Sequence, residues 1–339
     1  MCKRILIIAA IVFAVSGLAL ANTADITQDG TGNEATINQT GSGQSATINQ
    51  YGTNLAQIDQ SGGNNNTATI NQGAPGKPVT NFHKPAYASD WIIGSWIEQV
   101  GSDNIASTTV AFDGSASGSG NSNSTRIYQN GVENTATQVI GSYSSYTNSN
   151  KPYKAIEIDQ VGNENTASQT TTSSFGCYGI QNMVTLQTGN SNYAQQDSVG
   201  GMASTMEIFQ TGNGNSSTQY QWARYSTAHV DIQGNNNITD QYQKYTVWSL
   251  SGVDDAYIDI IGDDNIATQS QIGEYNDADI DITGSGNQAY QTQTGDSNYA
   301  KINVLGNNNY ASQTQTGNGH SSTISQTGDG NSATVVQGP

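Results

Sequence analysis

In the C-terminal third of the chain, apolar and amide side chains recur on a fixed beat. Seven units of 11 residues follow one another without a gap, starting at Gly262, Gly273, Gly284, Gly295, Gly306, Gly317 and Gly328. Each reads G-x-x-N-x-A-x-h-x-h-x, where h is Ile, Val or Gln. Position 4 is Asn except at His320, and position 6 is Ala except at Ser322. Positions 4, 6, 8 and 10 share one parity, so in an extended strand they face one side. The odd positions carry Thr, Asp, Ser, Tyr and Lys, a solvent face. Gly at position 1 among small polar neighbours marks a turn. Each unit therefore predicts a short strand followed by a tight arc.

The register continues backward. Copies start at Gly30, Gly41, Gly63, Gly101, Gly131, Gly162, Gly189, Gly212 and Gly234, while the units at Asp90, Lys151, Tyr178, Ala223 and Ser251 keep the strand half without the Gly. In all, 24 units run from Gly30 to Gly338, preceded by a partial one with Ala24, Ile26 and Gln28. Positions 8 and 10 alternate along the chain: Ile258/Ile260, Gln269/Gln271, Ile280/Ile282, Gln291/Gln293, Ile302/Val304, Gln313/Gln315, Ile324/Gln326. The full period is thus 22 residues, with Ile-bearing and Gln-bearing strands in separate sheets. The fold class that follows is all-β, a flat two-sheet β-solenoid of about twelve coils with two strands each, a rod of roughly 58 Å. The register breaks at 74–89, 112–119, 142–150, 173–177, Gly200 and 245–250, each time ahead of an Ile-type strand. Insertions so placed leave one edge of the solenoid.

Composition narrows the alternatives. Hydrophobic residues are 34% and charged residues 11%, too few of either for a conventional helical or α/β core. The 17 Tyr and low charge also do not match a disordered chain. The formal charge of −17 repels nucleic acid and anionic lipid, which need clustered cations. Residues 1–21 read as a signal peptide: Lys3 and Arg4, an apolar run from Ile5 to Leu20, then small residues to Ala21. That run of 16 residues is shorter than the ~20 a membrane span needs. Removal of Lys3 and Arg4 with it takes the −17 to −19 for residues 22–339. Cys177 then stands alone, so no intrachain disulfide is expected.

The inward amides are the candidate functional residues. Buried Gln and Asn in such a stack satisfy their amides on copies of themselves one strand above and below. Toward the N-terminus the ladder positions are Gln28, Asn33, Gln39, Gln50, Gln72, Gln129 and Gln160. The middle contributes Ser204, Gln210, Asn215 and Gln221; the C-terminal coils contribute Gln291, Gln293, Asn309, Gln313, Gln315, Gln326, Asn331 and Gln337. At outward position 9, Asp231, Asp259 and Asp281 fall in successive Ile-type strands, forming an acidic column whose like charges repel. His83, His229 and His320 share no metal-ligand or triad spacing, and the Gly-rich string around Gly118–Gly120 is not followed by a Lys-bearing helix. No catalytic, cofactor-binding or metal-binding residue is assigned, and the chain is read as a non-enzyme.

Ser204-x5-Gln210-x4-Asn215-x5-Gln221 resembles the curlin repeat of curli amyloid subunits. Asn33-x5-Gln39 and Gln28-x4-Asn33 match its pieces, and GDGNSATVVQ from Gly328 looks like a curlin strand and arc. Asn33 and Asn309 stand where the family pattern has Ser, and twelve coils exceed the usual five-repeat subunit. The resemblance implies a secreted functional amyloid that polymerises with itself into cell-surface fibres for biofilm and adhesion. A nucleating curlin and an outer-membrane export system are the further partners it implies. The competing readings are a monomeric secreted adhesin or ice-binding rod, and a minor nucleating curlin.

Overall fold

The computed structural model describes residues 21–30, 32–73, 79–80, 94–111, 124–141, 155–172, 182–199, 204–223, 225–245 and 253–339. The expected signal peptide (Ala21 apart) and the insertions (Val79, Thr80 and Tyr245 apart) lie outside the described residues. Within them every regular element is a strand, and every strand pairing is parallel. Consecutive solenoid strands alternate between a 14-stranded and a 12-stranded sheet. The larger sheet runs from Thr23–Gly30 and Ser45–Thr53 to Tyr310–Thr316 and Ser332–Gln337. The smaller runs from Glu34–Ser42 and Leu55–Asn64 to Tyr299–Leu305 and Ser321–Thr327. A two-residue strand, Val79–Thr80, pairs beside Ser45–Thr53 and lies off the main path. One strand from each sheet makes a coil, so the molecule is a two-sheet β-solenoid.

The period becomes register. Ala256, Ala278 and Ala300 are successive pairing partners, as are Ile258, Ile280 and Ile302. Like side chains stack on like, and inward positions are buried while their neighbours face solvent: the strand Asp277–Thr283 alternates strictly in burial. The interior is thin, with Ala and Ile interleaved with fully buried Gln and Asn. This arrangement explains why so low an apolar fraction suffices. The arcs explain the glycines. Gly262 has φ of +135°, and a Cβ there would sit 2.0 Å from the carbonyl oxygen of Gly284 in the next coil, so no other residue fits without moving backbone.

Segregation of Ile from Gln is only partial. Between Ser216–Trp222 and Tyr310–Thr316 the larger sheet carries Gln at both inward positions, and the smaller carries Val or Ile. Toward the N-terminus both sheets carry Ile and then Gln, as Ile48/Gln50 face Ile58/Gln60. A ladder requires the same residue above and below; the facing sheet imposes only volume. The interrupted connections all run the same way. Thr67–Gln72 leads to Ser95–Ser102, Ile105–Val110 to Ser124–Val132 and Ile238–Lys244 to Asp255–Ile261, in each case from the larger sheet to the smaller. The connections after Thr135–Gly141, Thr166–Thr172 and Tyr193–Val199 have the same direction.

Candidate assembly surface

The inward amides form directional chains. In the larger sheet Gln28 Nε2 donates to Gln50 Oε1 at 2.8 Å, Gln50 to Gln72 at 3.0 Å, and Gln72 to Ser95 Oγ in the smaller sheet. A second run begins at Gln221, which donates to Gln243, and continues through Gln271 to Gln293, Gln315 and Gln337. Gln291 donates to Gln313 at 3.1 Å in a parallel run two residues away. In the smaller sheet the run starts at Gln39 and passes through Gln60, Gln99, Gln129, Gln160 and Gln187 to Gln210, whose Nε2 ends on Ser217 Oγ. The second amide hydrogen crosses the interior: Gln293 Nε2 also donates to the Asp277 carbonyl at 3.0 Å, and Gln39 Nε2 to the Thr23 carbonyl at 2.8 Å. Both hydrogens of each such amide are used, so burial costs little.

Position 4 runs in the opposite sense. The backbone N–H and Nδ2 of Asn215 donate back to Asn192 Oδ1, and Nδ2 also reaches the Gly234 carbonyl at 2.7 Å. Asn309 does the same with Asn287 and Gly328, and the Asn331 N–H donates to Asn309 Oδ1. On the other edge Asn33 Oδ1 accepts the Asn54 N–H, while Ser204 donates its hydroxyl to the Ala223 carbonyl. His320 Nε2 lies 3.0 Å from the Thr316 carbonyl, filling the donor role of the missing Asn amide. A further ladder runs along the exposed arcs: Asn190 donates to Asn213, Asn213 to Asn235 and Asn235 to Asp263. The inward parity of the repeat gives this second position no role. Its recurrent Asn and Asp were the available signal.

On the solvent face Asp231, Asp259 and Asp281 are register partners, with Phe209 before them and Asn303 after. They do not stand alone. Two positions earlier run Glu207, His229, Tyr257, Asp279 and Lys301. Lys301 Nζ lies 2.9 Å from Asp281 Oδ2 and 2.5 Å from Asp279 Oδ2. His229 is 3.1 Å from Glu207 and 3.9 Å from Asp259. The Glu207 hydrogen bond raises the His229 pKa, and the same bond lowers that of Glu207. Burial is the main cause of the raised Asp259 pKa; Asp281 and Asp231 add to it and His229 opposes. These cations bear no periodic signature, which is why the column looked unopposed from sequence.

The surface with unmet bonding capacity is the pair of sheet ends. Among the described residues Thr23–Gly30 and Glu34–Ser42 have strand partners on one side only, as do Ser321–Thr327 and Ser332–Gln337 at the opposite end. Each presents a row of backbone N–H and C=O groups. Among the described residues no group of three or more His, Cys, Asp or Glu is placed to hold a metal ion. His83 and Cys177 lie outside them.

The curlin associated repeat matches residues 21–52 and 306–338. These segments hold the first three and last three solenoid strands. No curated protein sequence matches the chain. The two matched segments are the two ends of one pair of in-register sheets, so the chain is similar to the curlin repeat family at both of its ends.

Proposed function

We propose that the protein is a secreted, self-assembling subunit of curli-like extracellular amyloid fibres that serve the biofilm matrix and surface adhesion. The observation that carries this reading is the open sheet ends: four edge strands that each carry the inward pattern of the repeat, a small residue (Ala or Ser), then Ile or Val, then Gln. Amyloid stacks identical side chains between molecules. Here the stack runs within one chain, so the addition of another copy requires no new kind of contact. Curlin repeats are structural, in keeping with a molecule whose polar interior is consumed by ladders. A regular outward Thr array, as an ice-binding rod needs, is confined to Thr292/Thr294 and Thr314/Thr316, with Ser270/Ile272 and Val336 on either side.

The test is dilution of denatured chain 22–339 into buffer, followed by thioflavin fluorescence, negative-stain microscopy and fibre diffraction. Fibres with a meridional reflection at ~4.8 Å are expected. Rods that stay monomeric over days sink the reading in favour of a monomeric adhesin.

A further inference from the structure

At two inward positions the last coil exchanges an amide for an aliphatic side chain, or the reverse, relative to the coil beneath it. In the smaller sheet Gln326 follows Val304, and in the larger sheet Val335 follows Gln313. Neither change serves the chain's own stack. Gln326 Oε1 is buried without a hydrogen-bond partner, because Val304 has no donor. Gln313 Nε2 keeps only the Lys301 carbonyl, because Val335 has no acceptor. Both changes restore the pattern of the first coil, where Ile37/Gln39 and Ile48/Gln50 occupy the same places. The amide runs are also polar. Gln326 and Gln337 each donate one hydrogen inward, to the Tyr310 and Ser321 carbonyls, and hold the other toward the open end. At the opposite end, no described residue donates to Gln39 Oε1.

The strand count adds a constraint. Among the described residues the main path of the larger sheet has thirteen strands and the smaller sheet has twelve, so both outermost strands belong to the larger sheet. Two intact copies placed head to tail would continue the larger sheet and leave one strand missing from the smaller. Gln326 of one copy and Gln39 of the next would then stand two strand spacings apart, ~9.6 Å, beyond hydrogen-bond reach. The gap closes if Ser332–Gln337 of one copy and Thr23–Gly30 of the next compete for a single place. Their inward residues match: Ala333, Val335 and Gln337 against Ala24, Ile26 and Gln28.

We propose that copies join head to tail by strand exchange. One of these two equivalent strands is displaced at each joint, Ser321–Thr327 pairs with Glu34–Ser42 of the next copy, and Gln326 donates to Gln39 of that copy. Such a heterologous contact does not close on itself, so it propagates a filament. The proposal rests on the self-assembly reading above.

Seeded elongation of chain 22–339 tests it. Gln326→Val should leave subunit melting unchanged or higher, because an orphaned acceptor is removed, yet slow elongation about fivefold, the worth of one amide hydrogen bond. Deletion of 22–32 or of 328–339 should each leave elongation at or above the full-chain rate. Deletion of both should slow it at least about fivefold below either, because the joint then lacks a strand in the larger sheet. Absence of fibres from the unmodified chain overturns the assembly reading. Fibres that elongate equally with Gln326→Val, or single deletions that each slow growth, overturn the exchange.

Discussion

The Asn276 backbone N–H donates to Asp254 Oδ1 at 2.8 Å, as the Asn298 N–H donates to Asn276 Oδ1 one coil further on. A carboxyl therefore occupies a place in an amide column. Asp254 is fully buried. Desolvation pushes its pKa up to about 7; the Asn276 bonds oppose this, and the charges of Glu274 and Asp255 add to it. In its neutral form the group has a proton where its Asn neighbours have Nδ2 hydrogens.

The direction of the pH effect follows. The folded pKa lies above the unfolded value, so this group's contribution to stability is full below about pH 4 and is lost as pH rises toward 7, by about 4 kcal/mol at most. Asp254→Asn should abolish this loss, raising the melting temperature at pH 8 and changing little at pH 4. Thermal unfolding at the two pH values measures it. An unchanged difference between them would place the pH dependence elsewhere.

The second prediction concerns Lys301, whose pKa is raised by its hydrogen bonds to Asp279 and then Asp281. Lys301→Met removes the cation that offsets both carboxylates, beside an Asp259 already hard to ionise. The variant should lose about 1 kcal/mol at pH 7 in low salt. The loss should shrink with added salt, which screens the carboxylates. Asp231, Asp259 and Asp281 replaced together by Asn should speed assembly less than a bare acidic column requires. Lys301→Met equally stable at every salt concentration would exclude a neutralising role.

These two sites show where sequence is legible and where it is not. The coil could be read because its constraints repeat: Gly262 faces Gly284 across one spacing, and Ile258 stacks on Ile280, so each rule is written many times. Position 4 was legible for the same reason. Asp254 escaped because an acid there breaks the rule once, and it is the one buried acid among the described residues. Lys301 and His229 escaped because an ion pair across strands depends on side-chain reach, which has no period. The separation of Ile and Gln into two sheets holds in the C-terminal coils and fails in N-terminal coils such as the one with Ile58/Gln60, because a ladder fixes only the residues above and below it.

The ladders themselves can be tested one rung at a time. Gln293 accepts from Gln271 and donates to Gln315 and to the Asp277 carbonyl. Gln293→Leu leaves a donor on one side and an acceptor on the other unmet in a dry interior. A loss of about 1–3 kcal/mol is expected. Thr292→Ser, at the adjacent exposed position, should change stability by no more than a few tenths of a kcal/mol. Urea melts of the two variants compare them directly, and equal losses would deny the buried rung its importance.

The last prediction sets two deletions of equal length against each other. Removal of 245–250 joins Lys244 to Ser251 and restores the 11-residue spacing between consecutive units. The strands on either side, Ile238–Lys244 and Asp255–Ile261, already pair in register with Ile266–Ile272 and Asp277–Thr283. Folding and assembly should persist, with a modest loss from the Trp222–Tyr245 ring contact at 6.0 Å. Removal of 284–289 instead takes out Gly284 and Asn287, the arc that carries the chain from Asp277–Thr283 to Gln288–Thr294. The two sheets stand ~10 Å apart, a span that needs those residues. That deletion should abolish both the cooperative melt and the fibre. Equal tolerance of the two deletions would show that the arcs do not set the path of the coil.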